Sequence, residues 1–168
     1  MTSKIFRSIF ATSLAVLMAT LVIITSFLYD YFTNIQINQL KDELSIASVG
    51  TEQSGEEYLE NLKSDNFRLT WIASDGTVLF DSQADKSAMD NHLDREEIRE
   101  AFGTGKGSSS RYSATLTEKT LYEAVLLSDG TVLRISINRL SGLTLLLGMM
   151  TPVIIVIIIA VQLVISAA

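Results

Sequence analysis

Two long stretches of this chain carry no charged residue, and they constrain its fold more than any other feature. The first covers residues 8–29 and the second covers residues 140–168. About 20 apolar residues suffice to cross the ~30 Å hydrocarbon core of a bilayer as a helix. We therefore predict two transmembrane helices. The alternative is a signal peptide followed by a buried helix, although no small-residue cleavage motif follows the first stretch.

The charges around the first stretch predict its orientation. Lys4 and Arg7 are the only charged residues before it, so the positive-inside rule puts residues 1–7 in the cytoplasm and residues 30–139 outside the cell. That outer segment holds all 19 acidic residues and 11 of the 13 basic ones. Such an acidic surface argues against nucleic acid as a partner. The chain has no cysteine, so disulfides do not stabilise the outer segment.

Residues 30–64 are predicted to form membrane-proximal helices. Apolar residues there follow the 3-4-3 spacing of a coiled-coil seam, which predicts a homodimer. The alternative, equally open, is an amphipathic face that packs on the chain's own domain. Gly50 and Gly55 are expected to interrupt the helix, and Ser54 with Glu57 has the pattern of a capping box for a second helix. The seam residues are Ile37, Leu40, Leu44 and Ala47.

The sequence SDGTVL occurs twice, at residues 74–79 and 128–133. Both copies lie among β-branched and aromatic residues, and Asp-Gly favours two-residue hairpin turns in which both turn residues have positive φ. The flanking segments differ between the two copies. The repeat therefore predicts two separate hairpins rather than a duplicated domain.

A helix is predicted between the hairpins, with Asp94 and Glu97 as its capping pair and Gly103 at its end. A loop, GTGKGSSS, and a further strand, SRYSATL, should follow. The order of elements is helix, two strands, helix, three strands. This order predicts an α+β fold over residues 65–139, with a five-stranded antiparallel sheet and helices on one side.

Few residues in the outer segment suit catalysis or metal binding. With one histidine and no cysteine, neither a zinc site nor a catalytic triad can be assembled, and the acidic residues near His92 do not have calcium-loop spacing. His92 is expected to bond to backbone in a loop, or else to sense pH. We predict no metal site and no catalytic residue.

A small-ligand pocket between sheet and helix is the candidate site, because an arginine there would suit a carboxylate or phosphate. The alternative is an edge arginine with two tyrosines that pack their rings. The candidate residues are Asp81, Arg111, Tyr112 and Tyr122. In the second apolar stretch, Pro152 and Gly148 predict a flexible joint that could transmit a signal, or simply a tolerated kink.

Several short stretches between the two apolar runs are typical of one protein family. They are Trp-Ile before Asp-Gly at residues 71–76, Asp-Ser at 81–82, NHLDR at 91–95 and SRYS at 110–113. With these stretches, the whole chain resembles the N-terminal sensor region of bacterial two-component sensor histidine kinases, of the phosphate-regulon-like type found in Gram-positive bacteria. The resemblance implies an extracellular PAS-like domain of order β-β-α-β-β-β between two membrane spans.

The resemblance also implies a function, that of a sensor module which passes an extracellular stimulus through the second span to cytoplasmic autophosphorylation. The kinase domains, with their ATP, Mg²⁺ and cognate response regulator, would belong to a longer parent, because no H-E-x-x-[TS]-P motif occurs here. The stimulus would be a small ligand or an envelope protein. Alternatives are a non-enzymatic membrane-anchored scaffold or partner-binding module, or the input half of a chemoreceptor or cyclic-dinucleotide enzyme.

Overall fold

The chain forms two compact units in the computed structural model. One contains Met1–Asn34 and Gly142–Ala168, and the other contains Ile35–Ser141. The structure describes residues 2–62, 64, 66–112 and 118–140, followed by isolated positions at 144, 147, 148, 151, 154, 155, 157, 158 and 162.

Helix α1, Thr2–Asn61, contains the first predicted span. Its segment Arg7–Asn61 is long and apolar enough to cross a membrane, with a mean hydropathy of 2.2 in its most apolar window. It is the one such helix among the described residues, and a signal sequence near the N-terminus would meet the same criterion. The predicted second span, residues 140–168, lies largely outside the described residues, so that span and the topology stay predictions.

One of the two predicted helix breaks occurs in α1. Gly55 has non-helical angles, φ 59° and ψ −137°, which an L-residue rarely adopts. Gly50, in contrast, remains helical, and the prediction of a break there is wrong. A Cβ at Gly50 would lie 2.2 Å from the ring of Tyr58. The packing of this ring favours glycine at position 50 for reasons of space rather than backbone angle.

The unit Ile35–Ser141 contains a five-stranded sheet in which every neighbouring pair is antiparallel, as predicted. The strands lie in the order β2-β1-β5-β4-β3, so the last strand in sequence is the central one. A 3-10 helix, Lys86–Ala88, and helix α2, Glu96–Thr104, connect β2 to β3. The strands are β1 Arg68–Ile72, β2 Val78–Asp81, β3 Lys106–Tyr112, β4 Glu118–Leu126 and β5 Val132–Leu140.

The two SDGTVL copies form two hairpin loops of the same geometry within one sheet, as the prediction of two hairpins requires. In the first, Gly76 N donates to Ala73 O (2.9 Å) and Ala73 N donates to Thr77 O (2.8 Å). The second repeats these bonds between Leu127, Gly130 and Thr131. Only the glycine needs a left-handed φ, 86° in the first loop and 84° in the second.

This pattern is a three-residue loop closed by a left-handed glycine, not the predicted two-residue turn. The Asp75 carboxylate accepts from Thr77 N, and Asp129 does the same for Thr131. These hydrogen bonds to the aspartate side chains stabilise the turns, as short polar side chains often do. In the second loop the Thr131 hydroxyl also accepts a 2.7 Å hydrogen bond from the Trp71 indole.

The segment from α2 to β3 departs from the prediction at both ends. Arg95, which has no side-chain capping bond, stands at the N-cap of α2, and Glu97 points into the domain instead of capping. The helix ends on the left-handed Gly105 rather than at Gly103. The predicted loop GTGKGSSS is mostly strand β3. Two of its serines bond to buried glutamates, Ser108 to Glu123 and Ser109 to Glu97.

Side chains of α1 pack on one face of the sheet, where they form a hydrophobic core with alternate residues of β1, β4 and β5. Leu40, Leu44 and Ala47 are at most 5% exposed there, and Ile37 packs against them. The predicted dimer seam is therefore buried in the chain's own domain, and the alternative of an amphipathic face is the one observed. A face already covered by the sheet cannot also bury itself against a second copy.

The opposite face carries α2 and a smaller core of Ile72, Ile98, Ala101, Ala124 and Val132. The prediction of helices on one side of the sheet is therefore wrong, because both faces present apolar side chains that a helix covers. Helix and sheet approach closely there because β3 has a glycine at the contact. A Cβ on Gly107 would lie 1.9 Å from the carbonyl oxygen of Glu97. This close approach brings the side chain of Glu97 within reach of the neighbouring strands.

Candidate ligand-binding site

A cavity of about 510 Å³ opens beside α2, on the face of the sheet that carries the polar residues of β5. Its volume falls within the range of ligand pockets, ~300–1,000 Å³. Four arginines are its most distinctive feature, and we call it the arginine cavity. The described residues that line it are Asn66, Phe67, Arg68, Gln83, Ala88, Met89, Asp90, His92, Arg95, Arg111, Thr120, Tyr122, Arg134, Ser136, Ile137 and Asn138.

Strand alternation explains how these side chains converge. Successive residues of a strand point to opposite faces, so Arg134, Ser136 and Asn138 of β5 share one face. In the register of the sheet, Ser136 lies opposite Arg68 of β1 and opposite Tyr122 of β4. The cavity is thus built on rigid strands, with β5 at its centre.

Glu97 is the buried anion that organises two of the arginines. Its side chain is fully buried, and one carboxylate oxygen accepts from Arg111 and from the Ser109 hydroxyl. The other oxygen accepts from Arg134 Nη1 at 3.2 Å. Burial alone would raise the pKa of Glu97. The hydrogen bonds from Ser109 and the backbone, with the two guanidinium charges, outweigh burial, so the pKa lies below its ordinary value.

Arg134 is 4% exposed and lies under the arginine cavity in the central strand. Besides its bond to Glu97, its Nη2 donates to the Thr70 hydroxyl at 3.0 Å. Its Nε has no hydrogen-bond partner among the described residues. Burial lowers the pKa of this guanidinium, and the charge of Glu97 opposes the shift. An arginine stays protonated under such conditions, so the cavity contains a permanent buried cation.

Tyr122 supports two of the arginines from β4. The guanidinium carbon of Arg111 lies 4.3 Å from the ring centroid of Tyr122, and that of Arg134 lies 5.3 Å from it. Both distances are within the range of cation–π contacts. The predicted convergence of Arg111 with Tyr122 on a pocket is therefore observed. The same contacts fit the alternative that this arginine packs on a tyrosine ring.

Asp81, another candidate, is part of the wall behind the cavity and does not line it. It receives two bonds from Arg68 Nε, at 3.0 and 2.9 Å, and one from the Thr70 hydroxyl at 2.8 Å. The backbone N–H groups of Gln83 and Ala84 also donate to it. A carboxylate with this many donors and no exposed side-chain surface is not available to a ligand.

Tyr112 was also predicted at the site, and the structure puts it on the other face of the sheet. It follows Arg111 directly in β3, so their side chains point in opposite directions. Tyr112 is 54% exposed and lies 5.3 Å from the amino nitrogen of Lys119. It is not among the residues that line the cavity.

His92 lies at the rim of the cavity, where its side chain is buried and contacts nearby backbone. Its Nδ1 is 2.7 Å from the carbonyl oxygen of Asp90, which fits the prediction of a backbone-bonded loop histidine. Its backbone N–H donates to Gly76 O in the first hairpin loop. Burial lowers the pKa of His92 from its ordinary 6.5, the contact with Asp90 opposes this, and the charge of Arg134 adds to it.

We expect His92 to titrate below pH 6.5 in the folded chain. Because the unfolded state then binds the proton more readily, its contribution to stability is complete above pH 6.5 and declines as the pH falls below that value. As His92 is the only histidine, its imidazole resonances in an NMR titration report the pKa without assignment. A pKa at or above 6.5 would contradict the burial described here.

A second cavity, of about 310 Å³, lies between α1 and the sheet. Lysines and glutamates are balanced in its lining, with Lys41 and Lys106 against Glu100 and Glu123. Glu123 accepts from the Ser108 hydroxyl and lies 3.9 Å from Lys41 Nζ. Burial raises the pKa of Glu123. This cavity has no excess of charge, so it is the weaker candidate for a ligand site.

Sequence reasoning missed Glu97 and Arg134, the two residues at the centre of the site. Glu97 was assigned to a helix cap, and Arg134 directly follows the second SDGTVL copy. Its strand alternates Arg134, Ser136 and Asn138 on one face, which was a signal, because a buried arginine requires a partner. The predicted joint stays a prediction, since Pro152 lies outside the described residues and Gly148 is one of the isolated described positions.

Comparisons with known proteins give no further indication of what this site binds. No protein-family model matches the chain, and a search of curated proteins finds no significant similarity.

Proposed function

We propose that this chain is the transmembrane sensor module of a two-component histidine kinase, with residues 65–139 as an extracellular PAS-like domain. In this proposal a stimulus in the arginine cavity acts through β5 on the second span. The proposal extends to a cytoplasmic N-terminus, a homodimer and an output domain beyond residue 168.

The order of elements supports the PAS-like assignment. After α1 the structure has β1, β2, a helical connection ending in α2, and then β3, β4 and β5. This is the β-β-α-β-β-β order that the family resemblance implies. The apolar part of α1 supports the assignment to a membrane protein.

One observation supports the sensor function most directly. Three residues of β5, namely Arg134, Ser136 and Asn138, line the arginine cavity, and β5 ends at Leu140. Leu140 is also the first residue of the second apolar stretch. A strand that lines the proposed site and is adjacent in sequence to the proposed span could transmit a displacement, whereas a long flexible linker would not.

Thermodynamics sets a condition on such a signal. A ligand shifts a two-state equilibrium only if it binds one state more tightly than the other. In the proposed mechanism the ligand favours one position of β5, and the output state follows. The homodimer in this mechanism does not use Leu40 and its neighbours, which are buried in the domain.

The first test is the coding sequence that follows codon 168. A helical linker with H-E-x-x-[TS]-P and an ATP-binding domain is the expected result. The full-length protein in membrane vesicles should then incorporate phosphate from labelled ATP, and replacement of that motif's histidine is the matched control. A stop codon within a few residues would contradict the kinase proposal and favour the scaffold, and a different output domain would favour a chemoreceptor or cyclic-dinucleotide enzyme.

A variant of the same protein tests the role of β5. We expect a flexible Gly-Ser insertion directly after Leu140 to preserve basal phosphorylation and to abolish its response to the stimulus, because the insertion separates β5 from the proposed second span. An insertion of the same length after Asp129, which is exposed in the second hairpin loop and does not line the cavity, is the control. An unchanged response after the first insertion would rule out transmission through β5.

A further inference from the structure

We propose that the arginine cavity binds a small hydroxylated monocarboxylate, whose carboxylate is held by Arg111, Arg134 and Arg95. This inference rests on the proposed function, because it names the ligand class of the same sensor cavity. It is argued from the donors, the charge and the size of the site.

The arginines have N–H donors to spare. A guanidinium carries five N–H groups. Among the described residues, Arg134 donates to Glu97 and Thr70, and Arg111 donates to Glu97. The side chain of Arg95 forms no described bond and is exposed beside the cavity. Arginine donors in a fixed fork match the two oxygens of a carboxylate.

The charge around the cavity favours a single negative charge on the ligand. His92 is neutral at pH 7 because its pKa is lowered, so it adds no charge. The described residues that line the cavity or bond directly to those arginines leave one positive charge in excess. They are Arg68, Arg95, Arg111 and Arg134 against Asp81, Asp90 and Glu97. A carboxylate matches this excess, whereas a phosphate monoester carries about −1.5 to −2 at pH 7.

The remaining lining favours hydroxyl groups on the ligand. Asn66, Thr120, Ser136 and Asn138 provide amides and hydroxyls around the arginines. These groups both donate and accept hydrogen bonds, so they complement hydroxyl groups better than hydrocarbon. With a volume of about 510 Å³, the cavity has room for a sugar-acid-sized molecule.

The test uses the full chain in detergent micelles and isothermal titration calorimetry. The probes are lactate, glycerate and gluconate, with lactamide as the uncharged analogue and inorganic phosphate as the more highly charged anion. We expect at least one of the three carboxylates to bind and to raise the unfolding midpoint by linkage. Arg111→Gln should weaken that binding by at least about tenfold, because it removes charge-assisted hydrogen bonds.

Arg95 and Arg99 offer a matched pair of variants. Both are exposed at the start of α2, one turn apart, and only Arg95 lines the cavity. Arg95→Gln should weaken carboxylate binding several-fold, and Arg99→Gln, with the same change of net charge, should leave it unchanged. Neither side chain forms a described bond, so both variants should fold normally. The comparison therefore tests the site even if Arg111→Gln fails to fold.

Four outcomes would overturn the inference. They are no carboxylate binding at concentrations up to about 10 mM, binding of lactamide as tight as that of its acid, binding of phosphate tighter than that of any carboxylate, and an equal effect of Arg95→Gln and Arg99→Gln. Failure of the proposed function is a separate result. A chain that binds a carboxylate but precedes no kinase retains this inference, and a kinase whose sensor binds none of the probes retains its function.

Discussion

Glu97→Ala is expected to lower the free energy of unfolding by about 3–5 kcal/mol, which is the usual effect of removing one partner of a buried ion pair. The variant would leave Arg134 buried and charged beside only the Thr70 hydroxyl and the Tyr122 ring. It would also remove the acceptor of Arg111 and Ser109. Urea denaturation of the full chain in micelles, followed by fluorescence, measures the loss.

The neighbouring residue provides the control for this prediction. Glu96 lies on the same first turn of α2 with the same charge, but it is exposed. Glu96→Ala should change the free energy of unfolding by less than about 0.5 kcal/mol. Equal effects of the two alanine variants would show that Glu97 is not the buried centre of the arginine pair.

Leu40→Ala is expected to destabilise the unit Ile35–Ser141 by about 2–5 kcal/mol, the range for removing a buried leucine side chain in a core. Leu40 is 2% exposed and belongs to the core between α1 and the sheet. The same denaturation experiment measures the effect. Its size should be independent of protein concentration, because the leucine packs within one chain.

Ile46 is the matched control on the same helix. It is 66% exposed, on the side of α1 away from that core. Ile46→Ala should cost less than about 0.5 kcal/mol. A Leu40→Ala effect that shrinks on dilution would instead favour the predicted dimer seam, since the stability supplied by an interface between chains is lost as the chains dissociate.

The order of strands and helices along the chain could be predicted because the local sequence patterns agree with the fold. The two Asp-Gly turns and the β-branched residues around them identify the hairpins, and the element order follows. The turn type was wrong, since an Asp-Gly pair also suits a three-residue loop with one left-handed glycine. Strand β3 was predicted to begin at Ser110 but begins at Lys106, because Ser108 and Ser109 bond to Glu123 and Glu97, partners that only the folded chain brings near.

The candidate site was predictable only in part, because its members come from four strands and a helix. Arg111 and Tyr122 were found from their residue types, and the register of β3 with β4 brings them together. Tyr112 could have been excluded from strand alternation alone. Asp81 could not, because its burial depends on Arg68, thirteen residues away in sequence. The seam of α1 has the same 3-4-3 spacing whether it faces a partner or its own sheet.

The bond from Trp71 to Thr131 gives the chain a built-in optical probe. Trp71 is the only tryptophan, it packs against the core beside α1, and its indole donates to the second hairpin loop. Indole emission excited at long wavelength therefore comes from the unit Ile35–Ser141, and the apolar stretches contribute none. Unfolding of this unit, and any ligand-induced change at its loop, can be followed by fluorescence in the intact chain without a label.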